Sequence, residues 1–351
     1  MQPASAITHW SRGRLDLMRA CPACGARVVS AIYSRRDDVL ALEDIWNVAR
    51  CGNCGSMYLI ERPDDESLPR AYESYYTHES EPDDFASGNA RGPLARLISG
   101  YLNARFHMRR HPALRAGAWV FGALAPLRMK LDVYGRHIPR ALCRGQTRLL
   151  DVGCGNGAFL CRAVEMGIEA QGCEPDPAAA ATCRKAGLNV VAGDVWTAAY
   201  PDRSFAYITL NHVIEHVTDP SRLLGKLLAL LEPGGTLWLA LPNPGALGVT
   251  LFGRGWKGLH PPFHLLIPSQ RKLREWLQHA GFTDVRFVRR GMQSPGLWCE
   301  SVRIAEREGT AHSRAWMTTV RRVGDLLSTL TPRWGEETIV MARRPVVPHE
   351  C

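Results

Sequence analysis

Residues 148–157 read Arg-Leu-Leu-Asp-Val-Gly-Cys-Gly-Asn-Gly, and residues 158–164 continue Ala-Phe-Leu-Cys-Arg-Ala-Val. A short apolar run, a glycine loop and an apolar-periodic stretch spell strand, turn and helix, the opening unit of a doubly wound α/β sheet. Gly153, Gly155 and Gly157 fall as G-x-G-x-G. A dinucleotide fingerprint needs its third glycine one residue later, to seat a pyrophosphate on the helix N-terminus. Asp151, at the strand's end, is also a poor neighbour for a pyrophosphate. A carboxylate there suits a ligand that carries a cationic amine.

The same grammar repeats downstream. Residues 168–174 read as a second strand ending in Glu174, placed 23 residues after Asp151, where an acid accepts ribose hydroxyls. Asn189 to Asp194 reads as a third strand, and Asp194 could accept the amino group of an adenine. Phe205 to Leu210 gives a fourth strand, and Pro233-Gly234-Gly235 turns into a fifth over Thr236 to Leu241. Strands alternating with helical stretches mean βαβ units and a mostly parallel sheet. Asp284 to Arg289 reads as a sixth strand, residues 297–330 as helical and Glu337 to Arg343 as a seventh strand.

These motifs together resemble class I S-adenosylmethionine-dependent methyltransferases. The resemblance rests on Asp151 to Gly157, Glu174, Gly193-Asp194 and Leu231-Glu-Pro-Gly-Gly235, occurring in that order over residues 147–290. Asn211-His-Val-Ile-Glu-His216, Pro242-Asn243 and the stretch Trp256 to His264 are similar to a subgroup with an N-terminal four-cysteine zinc ribbon. In that subgroup the ribbon leads into a segment like Glu61-Arg-Pro-Asp and a helix like Leu68 to Tyr76. The resemblance implies a Rossmann-like fold with a seven-stranded sheet, and S-adenosylmethionine as cofactor. It also implies that Gly153, Gly155 and Gly157 approach the methionine part, Asp151 its amino group, Glu174 the ribose and Asp194 the adenine, with Asn211 on the cofactor side.

The cysteines carry a second motif. Cys21-Pro-Ala-Cys24-Gly and Cys51-Gly-Asn-Cys54-Gly are two C-x-x-C turns, each followed by glycine. Two such knuckles offer four thiolates, the tetrahedral set of a closed structural Zn2+ site. With no open coordination position, the ion is expected to be structural. The other seven cysteines are scattered, which fits a reducing cytoplasm better than a disulfide framework. Residues 1–20 show no secretory signal pattern, and the longest apolar runs, such as Gly117 to Pro126, fall short of the ~20 residues of a spanning helix.

Methyl transfer from a sulfonium is an in-line displacement, so the protein aligns the partners and supplies a base when the nucleophile is a hydroxyl. Acceptor groups must project from the ends of the fourth and fifth strands. His212, Glu215, His216, Asn243, His260 and His264 stand there. His216 and His264, with His212 as a third candidate, are expected to line the acceptor pocket as proton acceptors. If a helix begins near His212, then His212, Glu215 and His216 share one face and could hold a divalent cation. Some quinone-type O-methyltransferases resemble this motif with an acid in place of His212. The bland alternative has Glu215 capping backbone and His216 packing under the adenine. Nucleobase amino methylation is argued against, because its Asn/Asp-Pro-Pro-aromatic motif does not follow the fourth strand.

The chain of 351 residues carries a net charge of +9. Residues 91–150 alone hold twelve Arg or Lys against the single acid Asp132, so the remainder sums to about −2. Five segments follow: a ribbon over 15–62, a basic helical connector over 63–146, the cofactor-binding core over 147–290, C-terminal helices and a last strand over 291–344, and a tail over 345–351. The connector's basic, aromatic and apolar residues could contact an anionic membrane through residues 91–130, hold a phosphorylated or lipid-linked acceptor, or form a plain cap with a solvated arginine face. The favoured function is methylation of a small-molecule hydroxyl, on a sugar, lipid-linked glycan or natural product. An rRNA or tRNA acceptor, a sugar C-methyltransferase and a non-catalytic cofactor-binding scaffold are the rivals. Against RNA, the charges between Cys21 and Cys54 nearly balance.

Overall fold

Short, turn-bounded strands come first: β1 (Leu15–Leu17), β2 (Val29–Arg36), β3 (Ile45–Cys51), β4 (Met57–Leu59) and β5 (Glu61–Pro63). β2, β3 and β4 pair antiparallel, and β1 pairs with β5. Helix α1 (Leu68–Tyr72) is followed by the connector helices α2 (Pro93–Phe106), α3 (Ala116–Ala123) and α4 (Ala125–Tyr134). This computed structural model describes residues 10–36, 44–72, 92–143, 145–291, 295–307, 309 and 313–346. The last four residues of the helix expected over Leu68 to Tyr76, the basic residues Arg91 and Arg144, and the tail from 347 onward lie outside the described residues.

The glycine loop opens the main sheet as its sequence implies. β6 (Arg148–Val152), α5 (Ala158–Glu165), β7 (Glu169–Glu174), α6 (Pro177–Lys185), β8 (Asn189–Ala192), β9 (Phe205–Asn211), α7 (Pro220–Leu230) and β10 (Leu231–Pro242) alternate as βαβ units. Two helix starts are written in the same dipeptide. Asp176-Pro177 and Asp219-Pro220 put an N-cap carboxylate on the free N–H groups of the first turn, and a proline where no N–H is needed. The chain then runs through α8 (Leu247–Phe252), β11 (Leu266–Ile267), α9 (Gln270–His279), β12 (Thr283–Val288), α10 (Pro295–Arg307), α11 (Arg314–Leu330) and β13 (Glu337–Arg343).

The main sheet has seven strands in the order β12-β13-β10-β9-β6-β7-β8. Strands β6 to β10 run parallel, while β13 is antiparallel to β10 and β12. This is a Rossmann-like, mixed sheet. Its order reverses between β6 and β9, the crevice where open α/β sheets bind ligands. Apolar layers cover both faces, one centred on Leu149, Phe159 and Tyr207 and the other on Leu150, Phe205 and Leu239.

A second sheet has the order β11-β4-β3-β2. Its edge strand β11 comes from residues two hundred positions downstream of β4, pairing Leu266 with Tyr58. Trp10, Trp46 and Met57 share one apolar cluster with Trp256, Phe263 and Trp298. The cysteine-bearing unit is therefore built onto the loop that carries His260 and His264.

Candidate active site and cysteine cluster

A cleft of about 1570 Å³ opens at the carboxyl ends of β6, β7 and β9. Its lining includes Gly153, Gly155, Glu174, Asp194, Asn211, His212, His216 and His264, so nearly all the residues singled out in the sequence meet in one place. Gly153, Gly155 and Gly157 all have positive φ, between 55° and 77°. A Cβ on Gly155 would meet no atom within 4 Å, so this glycine leaves the loop open on the cleft side.

Glu174 is held by backbone donors. Gly155 N–H donates to Oε2 at 2.8 Å and Asp176 N–H to Oε1 at 3.0 Å. Two fixed N–H bonds orient the carboxylate and leave lone pairs for a diol. Asp194 Oδ1 accepts from Trp196 N–H, Thr197 N–H and the Thr197 hydroxyl, at 2.8 to 3.0 Å. That turn fixes Asp194 at the far end of the cleft beside Trp196.

Asp151 departs from its expected place. It is fully buried and does not line the cleft. Arg136 Nη1 donates to its Oδ1, and Thr209 Oγ1 donates to the same oxygen at 2.8 Å. The guanidinium lies over the Phe159 ring, 3.7 Å from its centroid, and itself lines the cleft. What the cleft meets at this end is thus a cation, because the connector lays Arg136 across the strand end. Arg136 and His137 both occupy left-handed backbone (φ 45° and 54°), a costly conformation for non-glycine residues that surrounding contacts must hold. Tyr207 Oη, donating to the Arg136 carbonyl at 2.9 Å, is one such contact. Arg136 was not singled out in the sequence, since nothing there separates it from eleven other bases in residues 91–150.

No α-helix begins at His212. The chain makes one tight 3₁₀ turn, Ile214–His216, and His212 itself has φ 56°. Its Nε2 faces Glu337 Oε1 at 2.7 Å and its Nδ1 faces Glu215 Oε1 at 3.2 Å. Burial opposes its charge, but the two carboxylates outweigh burial and lift its pKa to about 10. The two carboxylates therefore favour the protonated form of His212. Burial would raise Glu337, yet the Arg290 and His212 charges bring it down to about 2.

His216 and His264 behave oppositely. His264 Nδ1 lies 2.7 Å from the Gly258 carbonyl. A carbonyl only accepts, so this nitrogen carries the proton and Nε2, 3.9 Å from Glu215 Oε1, carries the lone pair. Burial lowers the pKa of His264 to about 3. His216 Nδ1 is 3.0 Å from the Phe263 carbonyl and 2.8 Å from Tyr72 Oη. The carbonyl again assigns the proton to Nδ1, so Tyr72 accepts a share of it and Nε2 is bare. Burial lowers His216 as well. The two rings stand edge to face at 4.7 Å. Glu215 is fully buried beneath them, with Oε1 facing His212 and Oε2 without a hydrogen bond. Ligand atoms of Glu215, His216 and His264 lie within 4.8 Å of one another. Two neutral imidazoles with free lone pairs can take a proton from a hydroxyl, and with the carboxylate they could hold a cation.

The four cysteines meet as their spacing implies. Cys21 and Cys54 sulfurs are 3.7 Å apart, and those of Cys24 and Cys51 3.6 Å apart. A tetrahedral ion with metal–sulfur bonds of about 2.3 Å has sulfur–sulfur edges of about 3.8 Å, so the cluster fits. Gly25 and Gly55 close the knuckles at φ 73° and 75°. Burial raises Cys21 and Cys54, whereas at the less buried Cys24 the Ala26 backbone and Asn53 overcome burial and bring the thiol to about 7.

Residues 121–286 match a family model described as a methyltransferase domain. The ubiquinone biosynthesis O-methyltransferase of Xanthomonas euvesicatoria pv. vesicatoria is 28% identical over 174 residues, covering 45% of this chain and 70% of that protein. Its counterpart in Saccharophagus degradans is 28% identical over 178 residues, covering 46% and 73%. A solved S-adenosylmethionine-dependent methyltransferase from Archaeoglobus fulgidus is 23% identical and covers 63% of this chain and 93% of its own, with a TM-score of 0.42. Residues 121–286 thus form a methyltransferase domain, and these matches support an S-adenosylmethionine-dependent methyltransferase enzyme.

Proposed function

We propose that the enzyme methylates a hydroxyl of a small-molecule acceptor, with His216 and His264 as the proton-accepting pair. The observation that carries this reading is the pair of imidazoles, His216 half-buried and His264 buried, each with Nδ1 committed to a backbone carbonyl, in the cofactor cleft. The relatives' naming as O-methyltransferases supports an oxygen nucleophile. Gly155 admits the methionine part of the cofactor, Arg136 takes its carboxylate, Glu174 the ribose hydroxyls and Asp194 the adenine amino group. S-adenosylmethionine, when bound, would supply an electrophilic methyl group, and His216 or His264 would take the acceptor hydroxyl's proton as the carbon–oxygen bond forms and the carbon–sulfur bond breaks. His212, kept protonated by Glu215 and Glu337, is a positioning cation beneath the pair. The four cysteines hold a structural Zn2+ that fixes the sheet to which β11 belongs. Incubation with methyl-labelled S-adenosylmethionine and a panel of simple phenols and sugars tests the reading. Label should enter hydroxyl acceptors, and label found only on amines or carbon would refute it.

A second reading keeps the acceptor and adds a divalent cation on Glu215, His216 and His264, favoured by their ligand atoms lying within 4.8 Å of one another. Such an ion would lower the pKa of a hydroxyl bound to it. Turnover lost on chelation and restored by Mg2+ or Mn2+, with the cysteine-bound metal still in place, supports it; indifference to chelator removes it.

A further inference from the structure

Helix α3 exposes apolar surface and has no charged face. Its eight residues, Ala-Gly-Ala-Trp-Val-Phe-Gly-Ala, include no charged side chain and one polar side-chain group, the Trp119 indole N–H. A helix apolar on every face normally lies inside a core or a bilayer. Only Gly117 and Phe121 are buried here. Trp119 is 85% exposed, and Val120, Leu124, Leu114 and Leu94 are exposed beside it in the connector.

The packing beneath makes this arrangement firm. A Cβ on Gly100 of α2 would come within 1.8 Å of the Leu114 carbonyl oxygen, and one on Gly117 of α3 within 1.8 Å of the Leu97 carbonyl oxygen. Leu114 N–H also donates to the Arg96 carbonyl at 2.8 Å. Backbone meets backbone along the seam, so the apolar outer side of α3 is presented on a rigid pair. Helix α4 then leads from Leu124 to Tyr134 in the cleft wall, ten residues or roughly 15 Å.

Charge identifies the occupant. No acid occurs from Phe85 to Leu131, a stretch with eight bases. Arg105 and Arg110 turn inward to Asp132 and Glu165. Arg96, Arg109 and Arg115 stay exposed, and among the described residues no carboxylate pairs with them. A partner must therefore be apolar where it meets Trp119 and anionic around it. A second copy docked through the same face would set its own arginines against these. A bilayer with anionic headgroups satisfies both demands, with the indole at the headgroup level.

We propose that the surface formed by α2, α3 and the start of α4 docks the enzyme on an anionic membrane, inserting Trp119 and Leu124 and holding the cleft close to the lipid headgroups. The proposal does not depend on which acceptor is methylated. It is tested by flotation of the full chain with vesicles of phosphatidylcholine alone or with 30% phosphatidylglycerol. Binding is expected only to the anionic vesicles. The double variant Trp119→Ala/Leu124→Ala and the triple variant Arg96→Gln/Arg109→Gln/Arg115→Gln should each weaken it at least about tenfold. Calorimetry showing unchanged S-adenosylmethionine affinity verifies that both variants are folded. Absence of binding to anionic vesicles, equal binding by the variants, or a wild-type dimer that Trp119→Ala converts to monomer would each overturn the proposal.

Discussion

The two halves of the cleft are built in different ways. The cofactor half consists of strand ends and backbone: Gly155 and Asp176 N–H groups orient Glu174, and a turn of three residues orients Asp194. The acceptor half is assembled from distant pieces. Tyr72 arrives from α1, His216 from the turn after β9, His264 from the loop before β11, and Glu337 from the last strand. Local sequence dictates the first half and tertiary packing the second. The two should therefore fail separately, which is the most useful consequence of the comparison.

The largest separation should come from His216→Ala/His264→Ala. Loss of a positioned base costs about 10²- to 10⁴-fold in turnover, read with labelled cofactor, while cofactor affinity holds. Arg136 is the exception in the cofactor half, because tertiary packing against Asp151 and Phe159 places it. Arg136→Met leaves Asp151 buried and unpaired, and urea unfolding should show a loss of about 3–5 kcal/mol, part of it regained on adding Asp151→Asn. A variant of wild-type stability would mean that the pair is not formed. Glu174→Ala should act on the cofactor alone, weakening binding by about 1.5–3 kcal/mol, or roughly ten- to hundredfold in Kd.

A further expected effect is a pH dependence of stability to which the acceptor half contributes. His264 is lowered to about 3 from 6.5, so the unfolded chain binds its proton first as pH falls. Stability should drop between pH 6.5 and about 3. Glu337, lowered to about 2 from 4.5, adds to the loss below pH 4.5. His212 works in the other direction: its stabilisation is complete below pH 6.5 and fades as pH rises toward about 10. Melting curves across pH for His264→Gln should show a shallower acid limb than wild type, and an identical limb would refute the assignment.

The same contrast explains what could be read from sequence. Strand, glycine loop and helix from Arg148 onward are encoded within a few residues of one another, and Glu337 to Arg343 forms a strand as its pattern implied. The cysteine cluster was legible because two C-x-x-C turns can be recognised one at a time. Arg136 was not, since its meaning comes from Asp151 and Phe159 across the fold. Nor was the role of His212, which depends on Glu337 at a separation of 125 residues. The borrowed strand β11 was equally hidden, because two residues carry no periodicity. The basic excess of residues 91–150 likewise divides only in three dimensions, into arginines spent on Asp132, Asp151 and Glu165 and those left exposed.

Calorimetric titration of S-adenosylmethionine into the wild type, His216→Ala/His264→Ala and Glu174→Ala, paired with turnover of the same samples, separates the two halves of the cleft. The two-part cleft predicts wild-type affinity with lost turnover for the histidine variant and weakened affinity for Glu174→Ala. Loss of cofactor binding in the histidine variant, or unaltered binding in Glu174→Ala, would contradict it.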